Sequence, residues 1–182
     1  MRADAARNQR KIFDAAKAAV AQGDTGLTLN ALARLAGVGV GTVYGLFPTQ
    51  RAMLEAVVED AVIELNRMAA EAEREPNAQH ALGRFLDAAL ATALAQPGLF
   101  EVLITVGDER ESLREAKIEL VQAISRLLAR AQPNPLLTGE NLLKLLCGLI
   151  HAVNEHPAER RAAAADAYLS LLRTGLTTGA PA

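Results

Sequence analysis

Thr42 and Tyr44 stand two residues apart in a short segment bounded by Gly37 and Pro48. On the open face of a surface helix, a hydroxyl and a phenol can donate hydrogen bonds to phosphate oxygens. The ordinary alternative is a capping hydroxyl beside a half-buried core phenol. Cations flank the pair: Arg7, Arg10 and Lys11 near the start of the chain, then Arg34 and Arg51. Such groups either grip phosphate or simply solvate a helix face.

A second constellation, Cys147, His151 and Glu155, is spaced so that all three share one helical stripe. That stripe could hold a metal, but His80 and His156 have no companion Cys or His at ligand spacing. A buried thiol and a hydrogen-bonded core histidine fit better. Redox sensing by Cys147 would need a basic neighbour, and none is evident locally. Enzyme chemistry finds no foothold either, because the chain lacks a Gly-rich phosphate loop, a G-x-S-x-G elbow and a paired metal-ligand motif. Asp108, Glu109 and Glu111 read as solvated loop charge. No cofactor is expected.

The elements that must position these groups are helices. Of the 182 residues 51% are apolar, Trp is absent, and β-branched and aromatic residues are too thinly spread for a large sheet. One Cys excludes an intrachain disulfide and fits a reducing compartment. The first residues run into charge rather than an apolar stretch, and Leu99–Val106 and Leu142–Ile150 carry Glu101 and Lys144 inside them. A soluble cytoplasmic protein without a membrane partner is expected. Net charge is −2, but residues 1–51 hold seven basic and three acidic groups, while the remainder holds twelve and eighteen. A basic head on an acidic body suits a protein whose head alone meets phosphate.

Apolar periodicity predicts a first helix over 7–21, stopped at Gly23. Thr28 then caps a second, with Leu29, Leu32, Ala33 and Ala36 on one face and Gly37 at its end. A short segment, Val40–Phe47, ends against Pro48, which disfavours helical geometry at the residue before it. Two helices joined by so short a turn must cross steeply, exposing the second while Val38, Val43, Leu32, Leu35 and Phe47 form a small core. Thr49 caps a long helix to about Arg74. Five more follow: Ala78–Ala95, closed by Pro97-Gly98; Leu99–Val106; Ser112–Ala131 with Leu113 and Ile118 among its inward residues; and, after a Pro133-Asn134-Pro135 loop, Thr138–Asn154 and Pro157–Leu176. The terminal residues 177–182 should fray.

From Thr28 to Thr49 the chain reads T-x3-L-A-x2-A-G-V-x-x-G-T-V-Y-x-x-F-x-T. This resembles the DNA-binding domain of the TetR transcriptional regulators, over roughly Ala5–Leu65. The resemblance implies an all-α fold of about nine helices. A three-helix helix-turn-helix domain would occupy residues 5–65, with its motif at 28–47, and a helical-bundle effector-binding and dimerisation domain would occupy 66–182. It further implies a homodimeric, ligand-responsive repressor of near-palindromic operator DNA, with half-sites separated by about one turn, ~34–36 Å, or a related spacing, and released by a small-molecule effector.

The site residues implied for DNA are Thr28, Val40, Gly41, Thr42 and Tyr44, with Lys11, Lys17, Arg34, Gln50 and Arg51 on phosphates. An effector pocket would be walled by Met68, Phe85, Phe100, Leu103, Ile104, Ile124, Cys147 and His151. Pairing through the last two helices would use Leu142, Leu145, Leu149, Val153, Tyr168 and Leu172. The sequence departs from the family pattern at Gly39, where a capping Ser is usual, at Gln50, where a Lys or Arg is usual, and at Gly45-Leu46. These changes imply fewer direct base contacts and more reliance on phosphate contacts and DNA shape. They also keep open a rival class, a helical ligand carrier whose head does not bind DNA.

Overall fold

The computed structural model describes residues 2–131 and 137–177, and among them every regular element is a helix. These are α1 (Arg2–Ala21), α2 (Leu29–Ala36), α3 (Val40–Leu46), α4 (Gln50–Glu73) and α5 (Ala78–Ala95). Then come α6 (Pro97–Thr105), α7 (Glu111–Ala131), α8 (Gly139–Asn154) and α9 (Ala158–Thr177). The expected loop at Pro133–Pro135 and the fraying expected over residues 178–182 fall outside the described residues. Two compact units emerge, Met1–Ala61 with Gln96–Arg114, and Val62–Ala95 with Glu115–Ala182. The first division falls inside α4, between Ala61 and Val62. That α6 and the loop after it cluster with the N-terminal residues has no counterpart in a linear split near residue 65.

In the first unit α2 packs on both α1 and α3, and α6 packs on α1. α1 starts at Arg2, earlier than its apolar stripe suggested, and buries Ile12, Ala16 and Val20 at successive turns. Gly23, at φ +93, takes the left-handed geometry that closes it. α2 is closed at both ends: the Thr28 hydroxyl accepts from the Ala31 N–H, and Gly37 in the αL region donates to the Ala33 and Arg34 carbonyls. Leu35 is 63% exposed and does not join the predicted core. The stripe that buries Leu29, Leu32 and Ala33 is simply too narrow to include it.

α6 begins two residues earlier than expected, because Pro97 occupies its first turn rather than terminating α5. Gly98 then lies so close to the end of α1 that a Cβ there would overlap the Val20 carbonyl oxygen and the Gly23 backbone.

In the second unit α5, α8 and α9 pack on one another. Its interior includes Phe85, Leu86, Leu120, Ile124, Leu127, Leu142, Leu146 and Ile150. Ile118, expected inward, is 58% exposed. Helix ends are satisfied by side chains. Arg130 donates to the carbonyls of Glu73, the last residue of α4, and Glu75 just beyond it, Gln79 donates to that of Ala131, and Arg161 donates to those of Asn154 and His156. Among the described residues no single helix is long and apolar enough to cross a membrane.

Candidate nucleic-acid interface

The chain turns by 116° between α2 and α3, within the range of helix-turn-helix crossings. Three residues, Gly37 to Gly39, make the turn, and the αL geometry at Gly37 sets its direction. α3 is anchored by Val43, its one buried residue, and by Phe47 just past its end. Its other face is open. Thr42 is exposed, Tyr44 is 48% exposed and Val40 44%. A Cβ added at Gly41 or Gly45 would meet nothing within 4 Å. The exposed face thus offers one hydroxyl, one phenol, one branched aliphatic group and bare backbone, with no charge.

The predicted phosphate contacts separate into two groups. Lys11 and Arg34 are exposed, and Thr28 serves as the cap of α2. Lys17, Gln50 and Arg51 have work inside the first unit that the sequence did not announce. Lys17 is ion-paired with Asp60, joining α1 to α4. The Gln50 amide donates to the Thr25 carbonyl at 3.2 Å, tying the start of α4 to the loop before α2. In the free chain Lys17 and Gln50 thus make structural ties that a phosphate would have to share or displace.

Arg51 is more elaborate. Its Nε donates to Glu55 at 3.2 Å, and its Nη1 lies 2.9 Å from a Glu109 carboxylate oxygen. Glu55 is only 2% exposed, which would be costly for an unpaired carboxylate. It is not unpaired, because besides Arg51 it accepts the backbone N–H of Glu109 at 3.1 Å and of Arg110 at 3.2 Å. Arg110 in turn reaches Glu59, one turn along α4, at 3.2 Å. The Arg114 guanidinium donates to the Asp108 and Glu109 carbonyls, both at 2.9 Å. The loop from Gly107 to Arg110 is therefore strapped to the first three turns of α4. Gly107 belongs to the same arrangement, since a Cβ there would come within 2.5 Å of Arg51 Nη2. Glu109, read from sequence as solvated loop charge, is a partner of Arg51.

The model of bacterial regulatory proteins of the tetR family matches residues 12–57, spanning α1 to the start of α4. A second, the C-terminal domain of SbtR-like transcriptional regulators, matches residues 77–178, more than half of the chain. The chain belongs to the TetR family of transcriptional regulators. A TetR regulator from Mycobacterium vanbaalenii is 29% identical, with a TM-score of 0.61 over 96% of this chain and 98% of that one. One from Streptomyces coelicolor is 24% identical, with a TM-score of 0.64 over 92% and 97%. FadR from Bacillus subtilis, solved in complex with stearoyl-CoA, shares the fold at 17% identity, with a TM-score of 0.68 over 91% and 98%. No curated protein sequence matches.

The residues proposed for the TetR-type effector pocket are divided between the two units. Phe100 and Leu103 belong to the first unit, and the Ile104 side chain lies outside the described residues. In the second unit Phe85 and Ile124 are packed in the interior, while Met68 borders a cleft of about 400 Å³ with Glu71, Arg84, Asp87 and Ala91. A neighbouring cleft of about 450 Å³ has Leu82, Leu86 and Leu176 as its apolar lining and His80, Arg84 and Arg173 among its polar groups. His151 is exposed, not a core histidine. Cys147 is half-buried, and burial pushes its thiol pKa up despite the opposing charge of Lys117. A basic neighbour therefore exists after all, but desolvation outweighs it.

Of the proposed dimer contacts, Leu142 and Val153 are fully buried within the single chain and have no surface to give a partner. Leu145 is 51% exposed, Leu149 and Leu172 are half-buried, and the Tyr168 hydroxyl lies 3.0 Å from His156 Nε2. Leu171, beside Leu172 on α9, is 72% exposed.

Proposed function

We propose that this chain is a ligand-responsive repressor that binds a near-palindromic operator as a homodimer and releases it when a small effector binds the second unit. One observation carries the DNA reading: α3 turns away from α2 by 116° and leaves Val40, Thr42 and Tyr44 exposed, keeping only Val43 inside. A helix presented this way fits a major groove. Thr42 and Tyr44 donate to phosphates and fix the register, and Val40 lies against a thymine methyl. Lys11 and Arg34 add phosphate contacts, and Arg51 joins them once it leaves Glu109. Because Gly41 and Gly45 contribute no side chain, much of the sequence preference comes from DNA shape and deformability.

Dimerisation through α8 and α9 uses Leu145, Leu149, Leu171 and Leu172 and presents two copies of α3 to one duplex. That FadR, a protein of the same fold, was solved with stearoyl-CoA supports a small-molecule effector for this chain. The effector acts on DNA affinity only as far as it binds the two arrangements of the heads unequally.

The test is selection of duplexes from a random pool by the purified protein, followed by binding titrations across salt. We expect an inverted-repeat consensus bound by two protomers. The log–log salt slope should be near −0.9 per phosphate neutralised. Tyr44→Phe should weaken all sequences alike. Failure to enrich any sequence, together with salt-insensitive association, would remove the DNA reading.

A further inference from the structure

We infer that Arg51 is shared between Glu109 and a DNA phosphate, so that the loop after α6 is a built-in competitor of the operator. This rests on the DNA reading above and adds a means of regulation to it. Arg51 sits in the first turn of α4, just past the helix-turn-helix, and its side chain is 48% exposed. It is held from two sides. Buried Glu55 takes Nε, and exposed Glu109 takes Nη1. These two carboxylates differ in a way that assigns them different tasks.

Glu55 is 2% exposed and satisfied by three donors, one of them Arg51 and two of them backbone N–H groups of the loop. Releasing it would strand a buried charge, so it stays. Glu109 has a side chain 70% exposed, and its bond to Arg51 is the one that water or another anion can replace. Glu55 is thus the positioning residue: it orients the guanidinium and, through the same carboxylate, fixes the backbone of the loop that carries Glu109. Arg114 braces that backbone from its carbonyl side. Glu109 occupies the guanidinium edge that a phosphate would otherwise take.

By linkage, whatever draws the Gly107–Arg110 loop away from α4 strengthens DNA binding. Whatever presses Glu109 onto Arg51 weakens it. Tightening this one ion pair lowers DNA affinity without requiring any movement of α3, and so adds to whatever a rearrangement of the heads contributes.

The experiment uses the duplex selected by the wild-type protein and four proteins: wild type, Glu109→Gln, Arg51→Gln and the double variant. Affinities are measured at one fixed salt concentration. Glu109→Gln should tighten binding about two- to fivefold, the range expected for freeing one partner of an exposed ion pair. In the Arg51→Gln background the same substitution should change nothing. Equal tightening in both backgrounds would mean that Glu109 acts only as a distant negative charge, and no tightening in either would mean that it does not compete; each overturns the inference. Should the wild type select no duplex, the DNA reading fails and the competitor goes with it. Thermal melting of the variants without DNA separates these results from misfolding, since Glu109 is surface-exposed and Glu109→Gln should melt within a few degrees of wild type.

Discussion

α2 and α3 are nearly equal in length and flank the same turn, yet they are built to opposite ends. α2 has a side-chain cap at one end, an αL glycine at the other, and three buried residues between them. α3 has Gly39 at its N-cap with no side-chain hydrogen bond, one buried residue, and glycines at 41 and 45 standing in open space. A cap is worth about 1 kcal/mol, and an interior glycine costs 0.5–1 kcal/mol against alanine. By these measures α2 supports itself and α3 does not. α3 is held in place by Val43 and by the segments on either side, and its outer face is left exposed. Stability is concentrated in α2, and the recognition proposed above in α3.

The division can be broken most forcefully at Leu32, which is fully buried in α2. Leu32→Ala should cost about 2–5 kcal/mol in a urea denaturation of the free protein. A loss below about 1 kcal/mol would mean that α2 is not where the first unit keeps its stability. Next comes the cap. Thr28→Ala removes the bond to the Ala31 N–H and should cost about 1 kcal/mol, while Thr28→Ser should recover most of it. The smallest effect has the opposite sign. Gly45→Ala meets nothing within 4 Å and should stabilise the free protein by about 0.5–1 kcal/mol while weakening its grip on selected DNA. A variant that gains stability with no change in DNA binding would show that this part of α3 does not face the duplex.

Much of this architecture was legible because its boundaries are local. Thr28, Gly37, Pro48 and Thr49 each act on the backbone within a few residues, and the helices begin and end beside them. Thr49 even caps α4 through the Ala52 N–H, as its position suggested. Pro97 is ambiguous in sequence because a proline can follow one helix or open the next, and here it opens α6. Leu35 and Ile118 lie beside apolar stripes whose width the period alone does not set.

The open face of α3 was readable from the turn and from the residue types on it. The partners of Lys17, Gln50 and Arg51 were not. Asp60, Thr25 and Glu109 lie 43, 25 and 58 positions away along the chain. Arg51 and Glu55 are spaced as an ordinary surface helix pair, and nothing local indicates that the loop N–H groups of Glu109 and Arg110 close over that carboxylate.

Gly98 has a consequence for motion. With the carbonyl of Val20 and the backbone of Gly23 against its α-carbon, the first turn of α6 has no clearance to press inward or to roll in place against α1. It can only lift off or travel with α1 as one body. Any signal reaching α6 must therefore either part these two helices, at the expense of their contact, or swing both together, and the second route hands the displacement to α2, which rests on α1. A missing methyl group thus restricts the directions in which the DNA-facing end can be pushed.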